Sequence, residues 1–522
     1  GARITAVPLL PPRVVIAGTH SGVGKTTVAT GLMAALAGRG ARVGAAKVGP
    51  DFIDPGYHAL ACGRPSRNLD VRLCGEEVVR AVAGRAGQGC DVLVVEGVMG
   101  LFDGAGAGPE ASTAHVARLL DAPVVLVVDA AAMSGSVAAL VHGFRTFDPT
   151  VRLAGVVLNR VGSDGHEGLL RQALAASGVD VLGVLRGDDR VVWRDRHLGL
   201  VPVAERPAEV RAGLGALAAV VAAGVDLDGL VALARTAPPA SVGDVPLPGR
   251  WDEAAAGLGG IRPSQAAARA VPVRATGVGG VQAFMATADA EPGRETGLGA
   301  QPSGTAGPDP GPRPSDPSHR GRHPVVALAG GPAFSFTYPE LPEALVAAGA
   351  EVVAFDPRTD PALPPGTTAL IAGGGFPEVF AVELAANLPL LADLRRRVAG
   401  GLPTWVECGG LLWLARSLDG VALAGVVPAD GRMTDRLTLG YRTATTQVPS
   451  PLGPAGTTLR GHEFRYSRLD PPGDAVHLEG RFGSGRAGYA TPTLLATYLH
   501  VHPAGEPGAI TAFVRAAAAA VA

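Results

Sequence analysis

Only two of the 45 basic residues in this 522-residue chain are lysines, Lys25 and Lys47. In a sequence so rich in Ala, Gly, Arg and Pro, arginine stands wherever either cation serves. A retained lysine then marks a place that needs a compact ammonium and not a planar guanidinium. Lys25 closes GTHSGVGKT (18–26), a glycine-rich loop between a Val-rich run and a helical one. Such a loop turns backbone N–H groups and a helix N-terminus towards phosphate. Gly22, Gly24 and Thr27 belong to the cradle, Lys25 is placed to reach the terminal phosphates of ATP, and the Thr26 hydroxyl to ligate Mg²⁺. Gly18 is followed by five residues before Gly24, one more than the common spacing.

Acidic residues at the ends of nearby apolar runs complete a site for phosphoryl transfer, which needs positioning and charge neutralisation. Glu96, after DVLVV, is the first candidate for a magnesium carboxylate and Asp51 the second. Asp54 and Asp103 are candidates for substrate contact or activation. Lys47 is expected to neutralise a transferring phosphoryl group or to hold a carboxylate.

A second chemistry is written near the other end. WVECGGLLWL (405–414) runs from an apolar strand into a cysteine, two glycines and a helical stretch. This layout makes Cys408 a nucleophile on a sharp turn, with a helix N-terminus favouring its thiolate. GGGFPE (373–378) offers the amides of Gly374 or Gly375 for an oxyanion hole shared with the Gly409 amide, and YLHVHPAG (498–505) offers His500 as base.

These groups need rigid elements behind them. RVVIAG (13–18), DVLVVEG (91–97), VVLVVDA (124–130) and LAGVVLN (153–159) are apolar throughout, as strands buried on both faces of a parallel sheet are. Helical stretches such as 25–38 and 135–145 alternate with them, predicting an α/β layered domain over 13–236. From 237 to 322 the pattern dissolves into Pro, Gly, Ala, Ser and Thr, read as a flexible linker or insertion. Patterning resumes in PVVALAGG (324–331), EVVAFDP (351–357) and ALIAGGG (369–375), a second α/β domain over 323–522.

Composition narrows the surroundings. A net charge of −2 makes no electrostatic case for nucleic acid or an anionic membrane as partner. No uninterrupted apolar stretch reaches the roughly 18 to 20 residues that span a bilayer. The N-terminal GARITAVPLLPP lacks a signal-peptide layout. Cys62, Cys74, Cys90 and Cys408 show neither metal-ligand spacing nor a disulfide framework, so a reducing cytoplasm is expected.

The longer loop, GT-x-S-GVGKT, resembles that of the dethiobiotin-synthetase branch of P-loop ligases, which includes the cobyrinic acid a,c-diamide synthases. KVGPDFIDPGYH (47–58), NLD (68–70), EGVMGLFDG (96–104) and GVVLNRVGS (155–163) look like signature stretches of those synthases. Phe52 stands where tyrosine is expected in most members. The second half resembles a class I glutamine amidotransferase domain, with His502 where the usual H-x-E pair has its glutamate, and with Glu506 beyond a proline. RMTDRLTLGYR (432–442) and RGHEFRYS (460–467) match the family as fold or substrate-facing segments. The resemblance implies adenine contact by Asn159 and a Cys408–His500 dyad that frees ammonia from glutamine. It also implies ATP-driven amidation of two carboxylates of a corrinoid acid. Ammonia must then cross between sites away from bulk water, which a docked interface provides and with which a homodimer is compatible. Cobyric acid synthase and nickel-sirohydrochlorin amidation are the nearest alternatives. A P-loop regulator carrying an inactive amidotransferase module is the alternative of another class.

Overall fold

The four apolar, Val-rich runs read as strands in the first half are strands, and apolar cores cover both faces of their sheet. The computed structural model describes residues 9–106, 108–186, 202–242, 323–481 and 483–520, with the backbone of short strands at 195–196, 199–200 and 261–263. Strands β1 (Arg13–Gly18), β2 (Val43–Val48), β3 (Arg67–Leu69), β4 (Val92–Glu96), β5 (Val124–Asp129), β6 (Leu153–Asn159) and β7 (Asp180–Val184) form one parallel sheet in the order β3-β2-β4-β1-β5-β6-β7. Side chains alternate across it: Val15 and Ala17 of β1 enter the core on one face, Val14 and Ile16 that on the other. The order reverses direction at β1, so the carboxyl ends of β1, β2 and β4 open on one crevice, where open α/β sheets bind ligands.

Helix α1 (Lys25–Gly38) leaves the phosphate loop, and α2 (Asp54–Cys62) follows β2. Helix Pro207–Gly224 is long and apolar enough to cross a membrane by length and composition alone. Its apolarity has a local use: Leu217 and Val221 pack with α1 in the core, while Val210 and Leu214 join a cluster at the domain interface.

After β7, β8 (Asp195–Arg196) and β9 (Gly199–Leu200) pair antiparallel. The segment read as a linker is described at two places. At its start, the buried Arg13 guanidinium donates to the Pro238 carbonyl at 2.8 Å, Leu10 N–H donates to the Ala240 carbonyl, and Val242 enters the first core. A buried guanidinium needs acceptors, and Pro238 supplies one. Further on, β10 (Ile261–Pro263) pairs in parallel with β12 (Glu351–Phe355). Residues 243–260 and 264–322 lie outside the described residues.

The second half continues with β11 (Val325–Ala329), β13 (Thr367–Ala372), β14 (Thr404–Glu407), β15 (Ala415–Leu418), β16 (Val421–Ala422), β17 (Val427–Thr446) and β18 (Thr458–Asp470). Then come β19 (Val476–Gly480), β20 (Gly483–Ala487), β21 (Tyr489–Thr491), β22 (Leu494–Thr497) and β23 (His500–Val501). One sheet runs β10-β12-β11-β13-β14-β22-β21, parallel except for the β21–β22 pair. A second sheet, built on the long antiparallel β17–β18 pair, was not foreseen in the sequence; its strands mix faces too irregularly to read as alternation. This sheet places His462 opposite His500.

The halves meet through an ion cluster. Arg67, 2% exposed, donates to Glu340 at 2.8 Å and to Glu343 at 2.7 Å, and Arg85 reaches Glu343 at 2.9 Å. Tyr441 Oη donates to Asp70 Oδ2 at 3.0 Å nearby. Arg67→Met is expected to lower stability by about 3 kcal/mol, because the buried Glu340 loses its cation while the half-buried Glu343 keeps Arg85. The denaturant midpoint measures this; a change under about 1 kcal/mol would mean that the cluster is hydrated.

Candidate active sites

The loop Gly18–Thr26 wraps the end of β1 and delivers α1. Gly24 adopts φ +96°, and a Cβ there would fall 2.3 Å from Asn159 Nδ2, so a glycine is required on both counts. Gly22 is also left-handed at φ +85°, and Thr27 lies in the first turn of α1. Lys25 is buried, its Nζ 3.4 Å from the His20 carbonyl. Burial, and next the like charge of Lys47, lower its pKa.

Thr26, Lys47, Asp54 and Glu96 converge from four elements. Thr26 Oγ1 donates to Glu96 Oε1 at 2.6 Å and to Asp54 Oδ2 at 3.2 Å. Lys47 Nζ donates to Asp54 at 2.7 Å, to Glu96 at 2.9 Å and to the Gly97 carbonyl at 3.1 Å. Burial opposes charge on both partners, but the two carboxylates raise the Lys47 pKa strongly, and Lys47 with His58 holds Glu96 below the usual carboxylate range. Asp54 is pushed up to about 8 by burial first and by Asp51 next, against the pull of Lys47. A hydroxyl with one or two carboxylates beside a phosphate cradle is the donor set Mg²⁺ takes, the rest being phosphate and water oxygens. Among the described residues no group of three or more His, Cys, Asp and Glu gathers into an all-protein cage.

The other three candidates have partners of their own within the protein. Asp51 uses Oδ1 to accept from the Ile53 and Asp54 amides at 2.7 and 3.0 Å, so it shapes the turn into α2 while Asp54 meets Thr26. Asp103 Oδ2 accepts from the Gly100 amide at 2.8 Å. Asn159 Nδ2 donates to the Val23 carbonyl at 2.9 Å and Oδ1 accepts from Arg160 N–H, so its amide braces the phosphate loop from below. Sequence reasoning gave no role to His58, which is fully buried with Nε2 2.6 Å from Glu96 Oε2 and Nδ1 3.3 Å from Ser66. Its position at the end of KVGPDFIDPGYH was the available signal.

At the second site Cys408 has φ +45°, a conformation that few residues other than glycine adopt, and its N–H donates to the Thr497 carbonyl at 2.8 Å. The strand-to-helix turn therefore projects the thiol from the end of β14. A Cβ on Gly374 would fall 2.5 Å from His500 Cε1, and one on Gly409 would lie 3.0 Å from the Gly375 amide nitrogen. The three glycines and the imidazole thus share one small space.

The electrostatics depart from expectation. Burial pushes the Cys408 thiol up to about 12, against a lowering by Arg465, and pushes His500 down to about 3. The helix that starts at Gly409 has only six residues, too little to offset this burial. In the state described, thiol and imidazole are both neutral. Glu407, next to the cysteine, has Oε2 3.8 Å from His500 Nδ1 while Oε1 accepts from Val501 N–H, and burial raises its pKa to about 8. His502 lies 4.0 Å from Glu340 at the domain interface, its Nδ1 accepting from Ala504 N–H at 3.3 Å. Glu506 binds Arg460.

A phosphate-loop site with a carboxylate pair, docked against a cysteine–histidine site with backbone amides around it, defines a glutamine-dependent, nucleotide-using amide ligase. Residues 14–200 match the CobQ/CobB/MinD/ParA nucleotide binding domain, and residues 325–507 the CobB/CobQ-like glutamine amidotransferase domain. The chain is 49% identical to a hydrogenobyrinate a,c-diamide synthase of Streptomyces coelicolor, over 96% of this chain and 97% of that one. It is 44% identical to the Thermobifida fusca enzyme of the same name, over 97% and 96%. It is 36% identical to a cobyrinate a,c-diamide synthase of a Synechococcus strain, over 96% and 97%. The chain belongs to the cobyrinate and hydrogenobyrinate a,c-diamide synthase family.

Proposed function

We propose that this enzyme amidates the a and c carboxylates of hydrogenobyrinate, the macrocycle without cobalt. Relatives from 42% to 49% identical carry the hydrogenobyrinate name, whereas those at 36–38% carry the cobyrinate one. The observation that carries the chemistry is the four-way convergence of Thr26, Lys47, Asp54 and Glu96 beside the phosphate loop, in a chain that also holds the Cys408 elbow.

In this reading a substrate carboxylate takes the terminal phosphoryl group of ATP, which makes it a better acyl donor. Thr26 and Glu96, with Asp54, would hold Mg²⁺, which neutralises phosphate charge when bound. Lys25 reaches the terminal phosphates, and Lys47 exchanges its carboxylate partners for phosphate or substrate oxygen. Asp51 supports the turn that carries Asp54, Asp103 shapes the loop after β4, and Asn159 supports the loop on which the nucleotide rests. Cys408 gives its proton to His500 and attacks the glutamine amide; the developing oxyanion takes hydrogen bonds from the Gly374 or Gly375 amide and from that of Gly409. The leaving nitrogen takes that proton from His500 and departs as ammonia, and water later hydrolyses the thioester, releasing glutamate and restoring the thiol. Glutamine and a corrinoid acid are the substrates, nucleic acid and membrane play no part, and the free cysteines suit a reducing cytoplasm.

The test offers hydrogenobyrinate and cobyrinate together with ATP and glutamine and resolves the products by mass. The expected result is diamide from hydrogenobyrinate in at least about tenfold excess, the discrimination one to three kcal/mol provides. Preferential conversion of cobyrinate overturns the choice of macrocycle.

A further inference from the structure

The turn between β2 and α2 touches both sites. Asp54 is bonded to Thr26 and Lys47 in the first. Phe52, two residues earlier, crosses to the second half, where its ring stacks on Phe336 at 5.3 Å with the planes 7° apart. The same ring meets Tyr338 at 4.5 Å, His500 at 5.1 Å and His462 at 5.8 Å. Beside it lies a cavity of about 10 Å³, space for one water-sized molecule, lined by Phe52, Phe336, Tyr338, Gly373, Trp405 and Glu407 among others.

Polar side chains meet Phe52 at Tyr338, His462 and His500 and continue past Tyr338 to His502, whose Nε2 lies 4.0 Å from Glu340 Oε2. His500 Nδ1, both ring nitrogens of His462, Tyr338 Oη, His502 Nε2 and Glu340 Oε2 are buried without a hydrogen-bond partner in the protein. Buried polar atoms are nearly always paired, so such a concentration at one interface points to a small polar visitor. Ammonia both donates and accepts hydrogen bonds, and the proposed chemistry produces it beside His500. The flanks of this region are held: Arg67 anchors Glu340 and Glu343, and Asn68 Nδ2 donates to the Gly49 and Asp51 carbonyls at 2.8 and 2.7 Å. The Phe52 contacts, by contrast, are ring against ring with a void alongside.

Resting on the amidotransferase reading above, we propose that Phe52 is the gate on the ammonia route, its ring closing the way from Cys408–His500 until the nucleotide site is loaded. Phosphate competes with Asp54 for Lys47, and the cation competes with Lys47 for Asp54, so loading changes the partners of the residue that begins α2. The turn carrying Phe52 moves with it, and ammonia is released towards a carboxylate already activated.

The experiment compares full-length wild type, Phe52→Tyr, Phe52→Leu and Phe52→Ala, measuring glutamate, phosphate and amide with glutamine or ammonium as nitrogen source. Wild type and Phe52→Tyr, which keeps the ring, are expected to form one glutamate per amide. Phe52→Ala is expected to hydrolyse glutamine without ATP about tenfold faster and to waste glutamate, with ammonium-driven amidation changed by less than about twofold. Phe52→Leu is expected to shift in the same direction by less. A one-to-one ratio kept by Phe52→Ala overturns the gate, as does an equal loss of ammonium-driven amidation, which would make Phe52 a contact of the corrinoid acid. Wild-type protein that makes no amide from either source overturns the amidotransferase reading, and the gate with it.

Discussion

Cys408→Ser is expected to abolish glutamine-dependent amidation, by at least about a thousandfold, and to leave ammonium-dependent amidation standing. The thiol sits on a left-handed elbow at the end of β14, directly before Gly409, where a Cβ would lie 3.0 Å from the Gly375 amide nitrogen, while a Cβ on Gly374 would meet His500. Burial holds even the thiol at about 12, so the less acidic serine hydroxyl has no route to a nucleophilic anion there. Carboxylate activation is assigned to groups of the other half, none of which touches Cys408. With high ammonium at mildly alkaline pH, the variant should therefore make diamide at the expense of ATP. Serine is only slightly smaller than cysteine, so the elbow and the core behind it should persist. Product and phosphate release with each nitrogen donor measure the effect. Loss of ammonium-dependent amidation in a folded Cys408→Ser protein would place the cysteine in the synthetase chemistry and overturn the two-site assignment.

Lys25→Arg is expected to fail almost as completely as Lys25→Ala, with either nitrogen source, by about a thousandfold or roughly 4 kcal/mol of transition-state stabilisation. The lysine stem runs tightly over the end of β1: a Cβ on Gly18 would fall 2.8 Å from both Cγ and Cδ of Lys25. A guanidinium is wider than an ammonium and cannot follow that path without displacing the loop whose amides face phosphate. Basal glutamine hydrolysis belongs to the other half and should survive, so the two variants fail in opposite ways. Phosphate release and amide formation under both nitrogen sources read the outcome. A Lys25→Arg enzyme that keeps more than about a tenth of the activity would show that charge alone matters at this position.

Much of this protein was legible in its residues. The parallel strands announced themselves as apolar runs because helices cover both faces of their sheet, leaving no polar alternation to obscure them. The phosphate loop and the cysteine elbow were legible for a related reason. Each needs glycines at fixed offsets from one reactive side chain, and those offsets are local in the chain. Lys25 and Lys47 stood out because guanidinium had replaced ammonium everywhere else.

Tertiary structure decided what depends on distance in space. Along the chain Asp51 reads as a magnesium carboxylate and Asp54 as a substrate or activation residue, but the turn into α2 uses Asp51 to accept amides and brings Asp54 to Thr26 and Lys47. His58 reaches Glu96 only because α2 packs against β2, the neighbour of β4, and His462 reaches His500 only through the register of β18 with β23. The neutral state of the Cys408–His500 pair also lay beyond the sequence. A helix N-terminus is visible as a pattern, whereas the burial that outweighs it is the sum of everything packed around the pair. Residue type and spacing specify which groups are capable of chemistry; their pairing and charge are set by the surroundings that folding brings to them.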